Sequence, residues 1–153
     1  MALSEGKKAP AVSFRALDGT RKSLAELTAR GPALLAFYKV SCPVCQLTLP
    51  FLERLRGAGI EVLPVSQNPA REARAFDEDF GTRTALIDPE NEEFPASNAF
   101  GVAYVPSMFV VEPDGSISWA SVGFIKKDLL ALAGRTGRAM FRKEESVPEA
   151  KAG

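Results

Sequence analysis

The chain has 153 residues, enough for one ordinary domain with a real core, and 46% of them are hydrophobic. Lysine and arginine together number 19, as do aspartate and glutamate, so no global field recruits nucleic acid or an anionic membrane, and neither is expected as a partner. Histidine is absent, which excludes Ser–His and Cys–His catalysis, histidine-ligated metal sites and a histidine pH switch.

The opening residues, MALSEGKKAPAVSF, hold no apolar run long enough for a signal-peptide core. No stretch approaches the roughly 18–20 apolar residues of a membrane span. A cytoplasmic monomer is the expectation, with a periplasmic location left open where a leader has been removed.

Residues 12–17 read as a short strand, Asp18-Gly19 as its turn, and Lys22-Ser23-Leu24 as the return or the start of a short helix through Leu27. Residues 33–38, ALLAFY, form a near-continuous apolar run that suits a strand buried on both faces. From Pro43 to about Arg56, Val44, Leu47, Phe51 and Leu55 recur at helical steps, and Gly57 and Gly59 follow as stop signals. Pro50 inside this stretch predicts a kinked helix or two shorter ones.

Residues 60–65 read as a second buried strand. A helix then runs from Asn68-Pro69 to Phe80, with Asn68 as its N-cap. A brief strand over 85–87 and one or two helical turns over 95–100 come next. Strands over 107–111 and 116–122 flank the turn Pro113-Asp114-Gly115, and a last helix spans 126 to about 133. Phe76, Phe80 and Trp119 read as core or sheet packing. Residues 1–137 form one domain; residues 138–153, polar and interrupted by proline, are expected to be a flexible tail. Alternating strands and helices ended by a hairpin predict an α/β fold: a mixed central sheet, helices on both faces and an N-terminal β-hairpin.

The two cysteines stand as Cys42-Pro43-Val44-Cys45, where the buried strand gives way to a helix. A disulfide closing so short a loop constrains the unfolded chain little, so a reactive role gains weight over a structural one. Pro43 suits the first helical position, which puts Cys42 at the cap, facing free backbone N–H groups and the positive end of the helix dipole. That setting favours thiolate over thiol. Cys45 lies one turn on, within reach of a mixed disulfide formed at Cys42. The same spacing occurs as half a zinc site, but this chain has only these two soft ligands, so a metal centre would need a second chain. No metal and no cofactor is expected beyond a redox-active Cys42–Cys45 disulfide.

Several separated stretches resemble the thioredoxin superfamily, within it the TlpA/ResA-like and AhpC/TSA redoxin branch. Ala9-Pro10 with Leu17-Asp18-Gly19, Phe37-Tyr38 before the cysteine pair, Pro50, and Phe100 to Ser107 with Asp114-Gly115 and Gly123 carry the likeness. The resemblance implies a thioredoxin-like three-layer fold and a thiol–disulfide oxidoreductase acting on protein or small-molecule thiols and disulfides. It also implies a cis bond before Pro106, in a loop facing the cysteines, where the backbone of Val105 receives substrate. Pro43, Val44, Tyr38 and Ser41 fall in the supporting positions around the pair.

Two departures stand out. Ser41 replaces the tryptophan common before the first cysteine, leaving Tyr38 or Tyr104 to shield the site. Thr48 stands where some ResA-like proteins carry glutamate, and no buried acid precedes the pair, so the proton acceptor for Cys45 is unassigned. A peroxiredoxin-like peroxidase and a non-catalytic thioredoxin-fold binding module are the alternative readings.

Overall fold

The computed structural model describes residues 2–153. The chain opens with β1 (Ser13–Ala16) and β2 (Arg21–Ser23), an antiparallel pair, and α1 (Leu24–Leu27). The return strand and the short helix both form, because Ser23 and Glu26 make a capping box that starts the helix where the strand ends. Next come β3 (Ala33–Tyr38), α2 (Pro43–Glu53), β4 (Glu61–Ser66), α3 (Ala70–Phe80) and β5 (Leu86–Ile87). A single 3-10 turn and α4 (Pro95–Ala99) lead to the hairpin of β6 (Ser107–Val111) and β7 (Ile117–Val122). The chain continues through β8 (Phe124–Ile125), α5 (Lys126–Thr136) and β9 (Ala150–Lys151).

Seven strands make one mixed sheet in the order β2-β1-β5-β4-β3-β6-β7. Strand β3 sits between β4, which it meets in parallel, and antiparallel β6. All six of its residues are buried, which explains why its sequence is an unbroken apolar run and not an alternation. Its side chains divide between the two faces. Leu34 and Ala36 join Leu52 of α2, Leu55 just past its end, and Leu129 and Leu132 of α5. Leu35 and Phe37 join Phe14, Phe100 and Phe109 on the other side. There the Phe37 ring stands 5.6 Å from Phe100 and 6.0 Å, edge-on, from Phe109.

Helix α2 runs unbroken through Pro50 to Glu53. Beyond it the hydrogen bonds tighten to three-residue steps, Leu55 to Leu52 and Arg56 to Glu53, and close at Gly57, whose φ of 84° suits glycine. Helix α3 starts differently from expectation. Pro69, not Asn68, is its N-cap, and no side chain caps it. The Asn68 carboxamide is committed elsewhere, its oxygen accepting the Val40 amide at 3.0 Å.

Residues 138–153, expected as a loose tail, fold back on the domain. Met140 is buried, and Phe141 packs edge-on against Phe51 at 4.9 Å. Glu145 accepts two hydrogen bonds of 2.6 Å from Arg54, and β9 pairs with β8. Met140, Phe141 and Val147 dock singly at irregular spacing, so they leave no periodic signal. Among the described residues no helix is long and apolar enough to cross a membrane.

The Arg54 guanidinium holds the Glu145 carboxyl down at about 2, from an ordinary 4.5. Because the folded value is depressed, the pair's contribution is complete above pH 4.5 and is lost as pH falls through 2. Glu145→Gln should lower the melting temperature slightly at pH 7, the pair being partly solvated. Thermal melts at descending pH should show that gap closing between 4.5 and 2. Phe109→Ala, which empties part of the aromatic cluster on β3, should cost about 3–5 kcal/mol in denaturant unfolding.

Candidate active site

Buried β3 ends at Tyr38, and a short loop delivers the chain to α2. Three bonds fix that loop: the Cys42 amide to the Lys39 carbonyl at 3.2 Å, the Val40 amide to Asn68, and the Gln46 carboxamide to the Val40 carbonyl at 3.0 Å. Cys42 is the N-cap of α2 with Pro43 after it, as the sequence predicts. The cap acceptor is the Cys42 sulfur itself, which takes the Cys45 amide at 3.2 Å. Both cysteines are free thiols.

A second loop meets the pair from the side of β6. The Val105–Pro106 bond is cis, and the Val105 carbonyl lies 3.5 Å from the Cys42 sulfur, within hydrogen-bond range of its thiol. Strand and loop therefore bring together Cys42, Cys45 and Val105. Pro106 is buried beside them, whereas Pro43 and Ser41 face solvent and Val44 packs partly on the α2–α5 core.

The two thiols have different surroundings. Cys42 is half-buried, while Cys45 is enclosed with Tyr38, Leu49 and Phe76. Burial pushes the Cys45 thiol far above its ordinary range, and its hydrogen bond with Cys42 adds to the rise, so it stays protonated at neutral pH. Tyr38 lies behind the pair and does not shield it. Burial raises its phenol to about 12, and its hydroxyl is hydrogen-bonded with Thr84, which in turn donates to Asp77 at 2.8 Å. Tyr104, 66% exposed, turns instead to a groove of about 590 Å³ lined also by Leu3, Ala120 and Val122. Ser41 is thus left without an aromatic cover from either tyrosine. Thr48 is also committed, donating to the Val44 carbonyl at 2.6 Å.

Two residues that hold the loop, Gln46 and Asn68, are not read from the sequence as site residues. Gln46 is one turn past Cys42 on the same helix, a spacing that could have found it. Asn68 is distant in sequence, and its local setting points only to a helix cap. Gly153 rests directly on the Val105 carbonyl, where a side chain would collide with it.

A dithiol at the start of the helix that follows the central strand, facing a cis-proline loop across a mixed sheet, defines a thioredoxin-like disulfide oxidoreductase of the redoxin branch. Residues 6–120 match the AhpC/TSA family, and the chain belongs to that family. It is similar to the thiol-disulfide oxidoreductase ResA of Geobacillus thermodenitrificans, 26% identical over 133 residues that cover 83% of this chain and 74% of that protein. It is 29% identical over 118 residues to the methylamine utilization protein MauD of Methylobacillus flagellatus, covering 73% of this chain and about half, 54%, of MauD. In structure it resembles a thiol:disulfide interchange protein from Bacteroides sp., with a TM-score of 0.73, 20% identity, and 94% and 95% of the two chains covered.

The unequal burial of the thiols has a direct readout. Iodoacetamide applied to the native, reduced protein at neutral pH should label Cys42 and spare Cys45, with both labelled once denaturant is added. Peptide mass mapping checks the assignment.

Proposed function

We propose that the chain catalyses thiol–disulfide exchange, with Cys42 as nucleophile and Cys45 as resolving thiol. The observation that carries this reading is the asymmetry of the pair. One sulfur is within reach of solvent and accepts the Cys45 backbone N–H at the start of α2, where a substrate can meet it. The other is enclosed, protonated and one helical turn away.

The electrons balance within the couple. The Cys42 thiolate attacks one sulfur of a substrate disulfide; a Cys42–substrate bond forms, the substrate S–S bond breaks, and the first thiolate leaves. Cys45 loses its proton and attacks the Cys42 sulfur, forming the Cys42–Cys45 disulfide and releasing the second substrate thiolate. The substrate gains two electrons and the pair loses two. No bound cofactor is required, because the two sulfurs hold the electrons. Run in reverse, the same steps oxidise a substrate dithiol.

Pro43 supports the reaction by presetting the first helical turn, and Val44 anchors that turn in the core. The Val105 carbonyl and the buried Pro106 edge form the wall along which a disulfide would approach Cys42. The substrates are thiols and disulfides of proteins or small molecules. The peroxidase reading lacks the threonine that peroxiredoxins place three residues before their reactive cysteine: read against Cys45, that position is held by Cys42.

Turnover of insulin disulfides with dithiothreitol tests the assignment. Cys42→Ser should fall to the uncatalysed background. Cys45→Ser should lose turnover yet accumulate a covalent adduct with substrate, visible as a mass increment that reductant removes. Wild-type protein no faster than Cys42→Ser would sink the reading.

A further inference from the structure

The segment 138–153 has two unlike halves. Its root is held by several independent contacts: buried Met140, the Phe141 ring against Phe51 and Phe124, and the Arg54–Glu145 pair. Arg138 adds hydrogen bonds to the carbonyls of Arg54 and Arg56 at 3.2 and 2.7 Å. Beyond Pro148 the contacts thin out. Residues 149–153 are all exposed, carry no large apolar side chain, and are tied by the Lys126 amide to the Glu149 carbonyl, by a solvated Lys126–Glu149 ion pair at 3.6 Å and by the two-residue pairing of β9 with β8. A ladder that short, without apolar burial, opens far more readily than the domain unfolds.

This weakly held tip lies on the reactive side of the molecule. Lys151 passes so close to Gly123 that a side chain at 123 would meet the Lys151 carbonyl at 2.6 Å. Gly123 itself donates to the Pro106 carbonyl at 2.8 Å. Two residues on, Gly153 sits against the Val105 carbonyl, the group 3.5 Å from the Cys42 sulfur. The tip is extended backbone laid over the wall beside the nucleophile, while Cys42 stays partly open.

We propose that residues 149–153 are an exchangeable strap that covers the Val105–Gly123 surface and must swing away on its root before a polypeptide can lie there. The inference rests on the oxidoreductase reading of Cys42 and Cys45 and adds a size rule to it. A small disulfide reaches Cys42 past the closed strap; an extended segment of a protein substrate competes with the strap for the same surface. The occupant that fits is polypeptide backbone with small side chains, since the strap places glycine where Val105 leaves no room for a Cβ.

Two substitutions release the tip by different means. In the antiparallel ladder, the Lys126–Glu149 bond makes Lys151 opposite Phe124 the next hydrogen-bonded pair, so Lys151→Pro deletes a donor. Gly153→Val drives a side chain into the Val105 carbonyl. Lys151→Ala keeps the backbone donor and serves as control. Reduction of insulin and of a small disulfide is measured for each, along with alkylation of Cys42 by an iodoacetylated decapeptide and by iodoacetamide.

Both release variants should speed insulin reduction and peptide alkylation about fivefold, the scale of one lost strand hydrogen bond in an opening equilibrium. Rates with the small disulfide and iodoacetamide should stay as in the parent, and Lys151→Ala should behave as the parent. Unchanged peptide alkylation in Gly153→Val, or equal acceleration of large and small reagents, overturns the strap. If no variant reduces either disulfide while the alkylation contrast persists, the strap stands and the oxidoreductase reading falls.

Discussion

The amide of Cys45 lies in the first turn of α2, where no carbonyl of its own helix can receive it. It finds the Cys42 sulfur at 3.2 Å, and the site is organised around that bond. The cap that starts the helix and the sulfur proposed as nucleophile are the same group, so the position of the sulfur is set by the geometry of the whole element. That element is anchored at one end by β3, buried along its full length, and near its other end by Leu52 in the core.

Much of this was legible in the order of residues, for reasons that differ by element. Strand β3 announced itself because burial on both faces demands an unbroken apolar run. The junction at Cys42 was readable because proline at the first helical position has a strong positional meaning. The cis bond before Pro106 came only through resemblance, since nothing local distinguishes it from a trans one. Asn68 suits a helix cap by its local setting, whereas the structure uses its side chain to hold Val40 in the loop after the neighbouring strand. Tyr38 and Tyr104 were candidates to shield the pair; one is locked behind it by Thr84 and Phe76, and the other faces a groove.

Residues 138–153 were the least legible part. Composition marks them as polar, and three scattered apolar side chains carry no period. What holds them is a set of pairwise matches with α2 and β8, and pairwise matches between distant segments do not show in a single line of sequence. The same arrangement joins the two halves of the site. Helix α2 starts at Cys42 and, past Pro50, ends at Arg54, the anchor of the segment whose far end rests on Val105. The polypeptide thus closes a ring that leaves the cysteine pair along α2 and returns to it over the second loop.

Trp119, the only tryptophan, has a consequence of a different kind. Its indole is almost buried, donates to the Asp128 carbonyl at 3.1 Å, and shares its cluster with Phe124 and Met140, away from the thiols. The molecule therefore carries its one indole reporter at the seat of the 138–147 root and no indole at the sulfur pair, where Tyr38 and Phe76 are the aromatic neighbours. Indole emission follows whether that root is docked and stays nearly blind to whether the two sulfurs are bonded.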